Sequence, residues 1–153
     1  MKNLLFLIVF GIFFASCMSE KTLDSYMVNS WQTTYLKIDM PTYLKSDSIY
    51  VYEDTFEVDP QLIAQSTYFD DGTFKAWYLN PQGEKLNESL GKWRIEGDSL
   101  FVAYDYQGKN SKVSYYIEKT EEGFKGVSLH DWDSDGEFDD LLVMKTKRIV
   151  LDK

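Results

Sequence analysis

Gly91-Lys92-Trp93-Arg94-Ile95-Glu96-Gly97-Asp98-Ser99-Leu100 reads as a β-hairpin, and this stretch decides the fold. Trp93 and Ile95 fall on one face and Lys92, Arg94 and Glu96 on the other, the period of two that a half-buried strand requires. Gly97-Asp98 supplies the residues that a tight turn with positive φ selects. Beyond it, Leu100, Val102 and Tyr104 repeat the alternation. Working outward, similar segments rich in Tyr, Trp, Val, Ile and Thr lie near 30–38, 48–53, 61–69, 73–80, 90–96, 99–105, 111–119, 124–130 and 140–149. Asp70-Asp71-Gly72, Pro81-Gln82-Gly83, Gln107-Gly108-Lys109-Asn110 and Glu121-Glu122-Gly123 separate several of them. No segment after residue 28 holds a helical period beyond two turns. The pattern predicts an all-β chain folded as a single antiparallel meander barrel of about eight strands, since closure removes exposed sheet edges. Residues 39–60 are the least regular and are expected to form a crossover, a lid or a strand.

The start of the chain has a different character. Met1-Lys2-Asn3 is followed by an apolar run from Leu4 to Phe14, too short for a permanent membrane span, and then by the small residues Ala15 and Ser16 before Cys17. Phe14-Ala15-Ser16-Cys17 resembles the lipobox of bacterial lipoproteins. That resemblance implies a diacylglyceryl group on the Cys17 thiol, cleavage before Cys17, acylation of its amine, and anchoring to a membrane by lipid chains such as palmitate. A lone cysteine in an exported protein otherwise invites stray disulfides, so lipidation also accounts for there being only one. The expected organisation is a signal peptide over 1–16, a lipidated tether over 17–27 and a β-barrel domain over 28–153. Met18, standing where Asp resembles an inner-membrane retention signal, points to the outer membrane of the cell envelope.

The chain carries 16 Lys+Arg and 25 Asp+Glu. A surface this acidic repels phosphate backbones, which argues against nucleic acid as a partner. It suits a cation, a basic partner or a well-solvated face.

Three of the short motifs carry a wider resemblance. Ser30-Trp31, Phe69-Asp70-Asp71-Gly72-Thr73-Phe74 and Gly91 to Leu100 are similar to the opening Gly-x-Trp strand and the two hairpins of lipocalin-like domains in small Bacteroidetes lipoproteins, with Asn29 in place of the usual glycine. The resemblance spans about residues 28–149. It implies a small calyx-shaped barrel able to hold an apolar ligand.

The sharpest chemical constellation is Asp131-Trp132-Asp133-Ser134-Asp135-Gly136-Glu137-Phe138-Asp139-Asp140, six acids in ten residues. Carboxylates at loop positions 1, 3 and 5 with glycine at 6 wrap hard oxygen ligands around one point, as Ca²⁺ requires. The expected metal ligands are Asp131, Asp133 and Asp135, the backbone carbonyl of Glu137, and Asp139. Leu142 at position 12 excludes an EF-hand, whose loop ends in a bidentate carboxylate. The loop more closely resembles the Asp-rich calcium loops of integrin-type propeller repeats. The competing reading is a solvated turn held by Asx hydrogen bonds.

No motif specifies a reaction. His130 is the sole histidine and stands as a hydrogen-bonding neighbour of the acidic loop, since catalytic zinc wants two or three His or Cys ligands. No nucleophile-elbow string accompanies it. Glu53, Asp54, Glu57 and Asp59 are scattered acids in an irregular segment, so an enzyme is not expected. Trp31, Trp77, Trp93 and Tyr104 are the residues expected to line or fill the barrel. The functional expectation is a non-enzymatic, membrane-anchored lipoprotein that binds a small apolar or amphipathic ligand and carries a calcium loop. The alternative is a structural lipoprotein with a filled barrel that contacts another envelope protein.

Overall fold

The computed structural model describes residues 22–57, 62–106 and 108–151. Cys17, the signal segment and the first part of the expected tether lie outside the described residues. Among the described residues no helix is long and apolar enough to cross a membrane.

A helical turn, α1 (Leu23–Met27), leads into nine strands: β1 (Ser30–Met40), β2 (Tyr50–Asp54), β3 (Ile63–Tyr68), β4 (Thr73–Leu79), β5 (Lys85–Glu96), β6 (Ser99–Tyr106), β7 (Lys109–Lys119), β8 (Phe124–His130) and β9 (Asp140–Ile149). All pairings are antiparallel. From β3 to β9 each strand pairs with the next, and β1 closes the ring by pairing with both β3 and β9. The protein is therefore an all-β, closed eight-strand antiparallel barrel with one added strand, an architecture consistent with a lipocalin-like fold. The added strand is β2. It pairs with the second half of β1, Leu36–Met40, while β3 pairs only with Ser30–Gln32 in the first half. The irregular crossover thus contains a strand, and β1 exchanges partners halfway along its length.

The quoted hairpin forms as its alternation requires. Trp93 pairs with Val102, and Ile95 with Leu100. The 69–74 hairpin interlocks with it, because Trp93 donates its backbone N–H to Gly72 O (2.8 Å) and its indole N–H to Phe69 O (2.9 Å). Gly91 is required by crowding. A Cβ there would lie 2.3 Å from Ala103 O and 2.5 Å from the Phe74 ring, because Phe74 and Tyr104 pair across it and meet edge to face. Asn29 has its own use: its side-chain amide donates to Tyr26 O, and its carbonyl accepts Tyr68 N–H.

The core sits at one end. Met27, Trp31, Leu100 and Phe124 are at most 1% exposed, and Tyr68, Phe74, Trp93, Val102, Val113 and Ile117 pack with them. Trp31 donates its indole N–H to Met27 O (3.1 Å) and meets Phe124 edge-on. Met27 makes α1 the plug of this end, so the last residues of the segment expected to be tether belong to the folded core. The opposite end carries the 131–139 loop, the 41–49 crossover and the β4–β5 turn.

β5 begins at Lys85, five residues before its expected start. Residues 85–88 are all exposed and show no alternation, so the sequence gives no strand signal there. Pairing with β4 extends the strand across a register shift, with Asn87 at φ 52°.

Candidate functional site

The acidic loop folds on its own carboxylates. Asp131 accepts the N–H groups of Asp135 and Gly136, both at 3.0 Å. Asp133 Oδ1 also accepts Asp135 N–H, while Ser134 and Gly136 take positive φ to make the turn. Asp140, the first residue of β9, turns inward at 2% exposure and accepts the N–H groups of Trp132 (2.7 Å) and Asp133 (3.2 Å). Burial raises the Asp140 carboxyl above its ordinary value, and these two backbone donors offset only part of that rise.

The crossover docks onto the same loop. Leu44 N–H donates to Asp133 Oδ2 (2.7 Å) and Lys45 N–H to Asp135 Oδ2 (3.1 Å). Thr42 Oγ1 lies 3.2 Å from Glu137 Oε2 and 3.3 Å from Asp139 Oδ2. Leu44 and Lys45 adopt φ of 52° and 60°, an uncommon backbone for residues with a Cβ, and in that conformation both donate their N–H groups to the carboxylates. A polar cleft of about 370 Å³ lies between the two segments, with Lys45 and Ser46 on one wall and Asp135 and Glu137 on the other.

Asp131, Asp133 and Asp140 each place a carboxylate oxygen within 4.8 Å of the others, a cluster that can hold a metal ion. The separation fits one cation, because oxygens on opposite sides of a Ca²⁺ bound at ~2.3–2.6 Å lie about 5 Å apart. Asp131 and Asp133 were expected in this set. The Asp135 and Asp139 carboxylates are instead turned to backbone N–H groups and to Thr42, and Asp140 joins the cluster. The signal for Asp140 was available as the inward parity of β9, where Asp140, Leu142 and Met144 alternate; the docking of Leu44 and Lys45 had no sequence signal.

The four aromatic residues expected in the barrel divide. Trp31, Trp93 and Tyr104 share the inner face. Trp77 does not. It pairs with Gln65 on the outer face, donates its indole N–H to that side chain (3.1 Å) and is covered by Lys85, whose Nζ stands 4.0 Å from the ring centre. Its burial comes from polar neighbours on the outside, which alternation alone does not reveal.

Inner-face residues toward the acidic end are less covered. Tyr50 and Tyr52 pair with Met40 and Ile38, and Tyr78 pairs with Leu86. These side chains face the barrel axis yet keep 45% (Tyr50), 40% (Tyr52), 40% (Tyr78) and 38% (Leu86) exposure. This stretch of the inner face is left partly uncovered, beside the place where β1 changes partners. Trp132 covers the other side, packing against the core and 6.4 Å from Tyr115. His130 stacks edge-on against Trp132 (5.1 Å) and Phe138 (5.4 Å).

No protein-family model matches this chain, and the curated proteins and solved structures compared with it contain no match. Function therefore has to be read from this geometry.

Proposed function

We propose that this chain is a non-enzymatic, lipid-anchored envelope protein of the kind represented by the lipocalin-like lipoproteins of Bacteroidetes. On this reading Cys17 carries the lipid, residues 1–16 are removed, and the anchor lies in the outer membrane. The barrel takes a small apolar or amphipathic molecule at its open mouth. One observation carries the proposal: Tyr50, Tyr52, Tyr78 and Leu86 face the axis and stay 38–45% exposed, whereas the inner face at the α1 end is sealed. Aromatic surface presented to solvent at the end of a barrel axis supports a small-molecule site there. Trp31, Trp93 and Tyr104 then form the floor beneath the ligand rather than its main contacts.

Ca²⁺ is proposed at Asp131, Asp133 and Asp140 as a clip that fixes the loop and the crossover docked on it. Hard carboxylate oxygens suit Ca²⁺, and water completes its six to eight ligands. An affinity of ~10⁻⁴–10⁻³ M is expected, as in other extracellular modules. Millimolar Ca²⁺ should raise the melting temperature of the parent and leave Asp133→Ala unchanged. No shift in the parent would remove the metal.

The central test is native mass spectrometry of the protein extracted from its host membrane. The expected spectrum shows a processed, acylated chain starting at Cys17 and carrying an additional small molecule. A chain with no added mass, and no tryptophan fluorescence change when stripped of lipid, would favour the filled barrel that contacts another envelope protein. A bare Cys17 still joined to Ser16 would overturn the anchor.

A further inference from the structure

The mouth has a charge pattern that narrows the ligand, and this inference rests on the ligand-binding reading above. We propose that the open mouth selects a cationic amphiphile, a small molecule with an ammonium head and a short apolar tail, held among Tyr50, Tyr52, Tyr78 and the Asp54 carboxylate. Tyr50, Tyr52 and Asp54 lie on the inward side of β2, opposite Met40, Ile38 and Leu36. Tyr78 comes from β4, which is not a sheet neighbour of β2. β2 and the β3–β4 pair flank the gap where β1 changes partners, so Tyr52 and Tyr78 lie on the inner face at the same end of the barrel. Burial, then Asp54, push the Tyr52 phenol above its ordinary value. Tyr43, from the crossover, packs on Tyr50 with ring centres 4.7 Å apart and widens the aromatic wall.

A cation fits this wall for two independent reasons. Ring faces attract an ammonium through their quadrupole, most strongly where several rings and a carboxylate surround it. The surrounding field has the same preference. Residues 39–57, 80–84 and 130–140, which carry the two loops and the β4–β5 turn of this end, contain twelve carboxylates and one lysine, Lys45. A fatty-acid carboxylate entering here would meet like charge, whereas a cation would be drawn in. The inner face also holds a hydroxyl awaiting a partner. Ser128 stands in one cross-strand row with Leu142, Ile38 and Tyr52, is 2% exposed, and its Oγ has no hydrogen-bond partner among the described residues. At about 4.8 Å per strand the row from Tyr52 to Ser128 spans roughly 14 Å, the scale of a small amphiphile with a cation at one end.

The full chain in neutral phosphatidylcholine nanodiscs, titrated calorimetrically with hexyltrimethylammonium, hexanol and hexanoate, tests this directly. The expected order is hexyltrimethylammonium at least about tenfold tighter than hexanol, with hexanoate weakest, and a cation affinity that falls as salt rises. Asp54→Asn, which keeps an acceptor for Phe56 N–H, should erase most of the preference over hexanol. Tyr52→Leu, with the melting temperature checked, should weaken the cation and spare hexanol. Equal or tighter binding of hexanol or hexanoate overturns the cationic class and leaves a ligand-binding barrel standing. Binding of none of the three also overturns the cationic class, and the ligand-binding reading is then decided separately by the native mass measurement.

Discussion

At the α1 end the inner face carries Trp31, Leu100 and Phe124 at 0–1% exposure, whereas at the acidic end Tyr50, Tyr52 and Tyr78 on the same face keep 40–45%. Both regions are aromatic and both belong to one sheet. The difference lies in what closes them. α1 inserts Met27 under the first end, and β1 pairs with β3 there, so rings pack on rings. At the other end β1 has left β3 for β2, and the segments that cover the axis are polar loops held by carboxylate–N–H bonds. Buried packing is thus concentrated at one end and exposed aromatic surface at the other.

The largest expected effect tests the closed end. Trp31→Ala removes a buried ring and its bond to Met27 O, and should cost ~3–5 kcal/mol in denaturant unfolding. A loss below about 1 kcal/mol would show that the plug is not where stability resides.

Gly91→Ala should cost about 1–3 kcal/mol, because the new methyl meets a backbone carbonyl that cannot swing aside. Thermal unfolding measures it, and a neutral result would mean that the Phe74–Tyr104 pair has room to shift.

Alkaline pH sharpens the comparison next. Burial pushes the Tyr68 and Tyr115 phenols far above their ordinary value, although Ser66 offsets part of the rise at Tyr68. The folded state therefore holds these protons after the unfolded chain has released them. Their contribution is complete below pH ~10 and declines as pH rises through and above it, by about 1.4 kcal/mol per phenol at pH ~11. Absorbance titration should show two tyrosines that ionise only as the barrel unfolds; full ionisation in a still-folded protein would contradict their burial.

The smallest effect belongs to the open end. Tyr50→Ser should change stability by no more than about 0.5 kcal/mol, since its ring is nearly half exposed. A loss above 2 kcal/mol by chemical denaturation would make the mouth part of the core and break the contrast between the two ends.

Much of this was legible in the residues. The strands β6, β8 and β9 begin and end close to where alternation and turn chemistry place them, and the Trp93 hairpin needed nothing beyond its own ten residues. Three features were not legible, each for a physical reason. β5 runs back to Lys85 because β4 lies beside it, although Lys85 to Glu88 carry no buried face of their own. Trp77 has the character of a core residue but faces outward, where Gln65 and Lys85 cover it. The third is the docking of the crossover, some 90 residues away along the chain: Lys45 N–H engages Asp135 and Thr42 engages Glu137 and Asp139, while Asp140 itself was signalled by the inward parity of β9.

By itself the sequence determined the all-β class, the approximate strand positions and the acidic loop, because side-chain alternation and positive-φ turns act over a few residues. The tertiary structure alone decided that β1 closes the ring by pairing with β3 and β9 and takes β2 along its second half, which end is plugged, and which carboxylates converge. Those outcomes depend on pairings between residues far apart in the chain, whose energies no local pattern records.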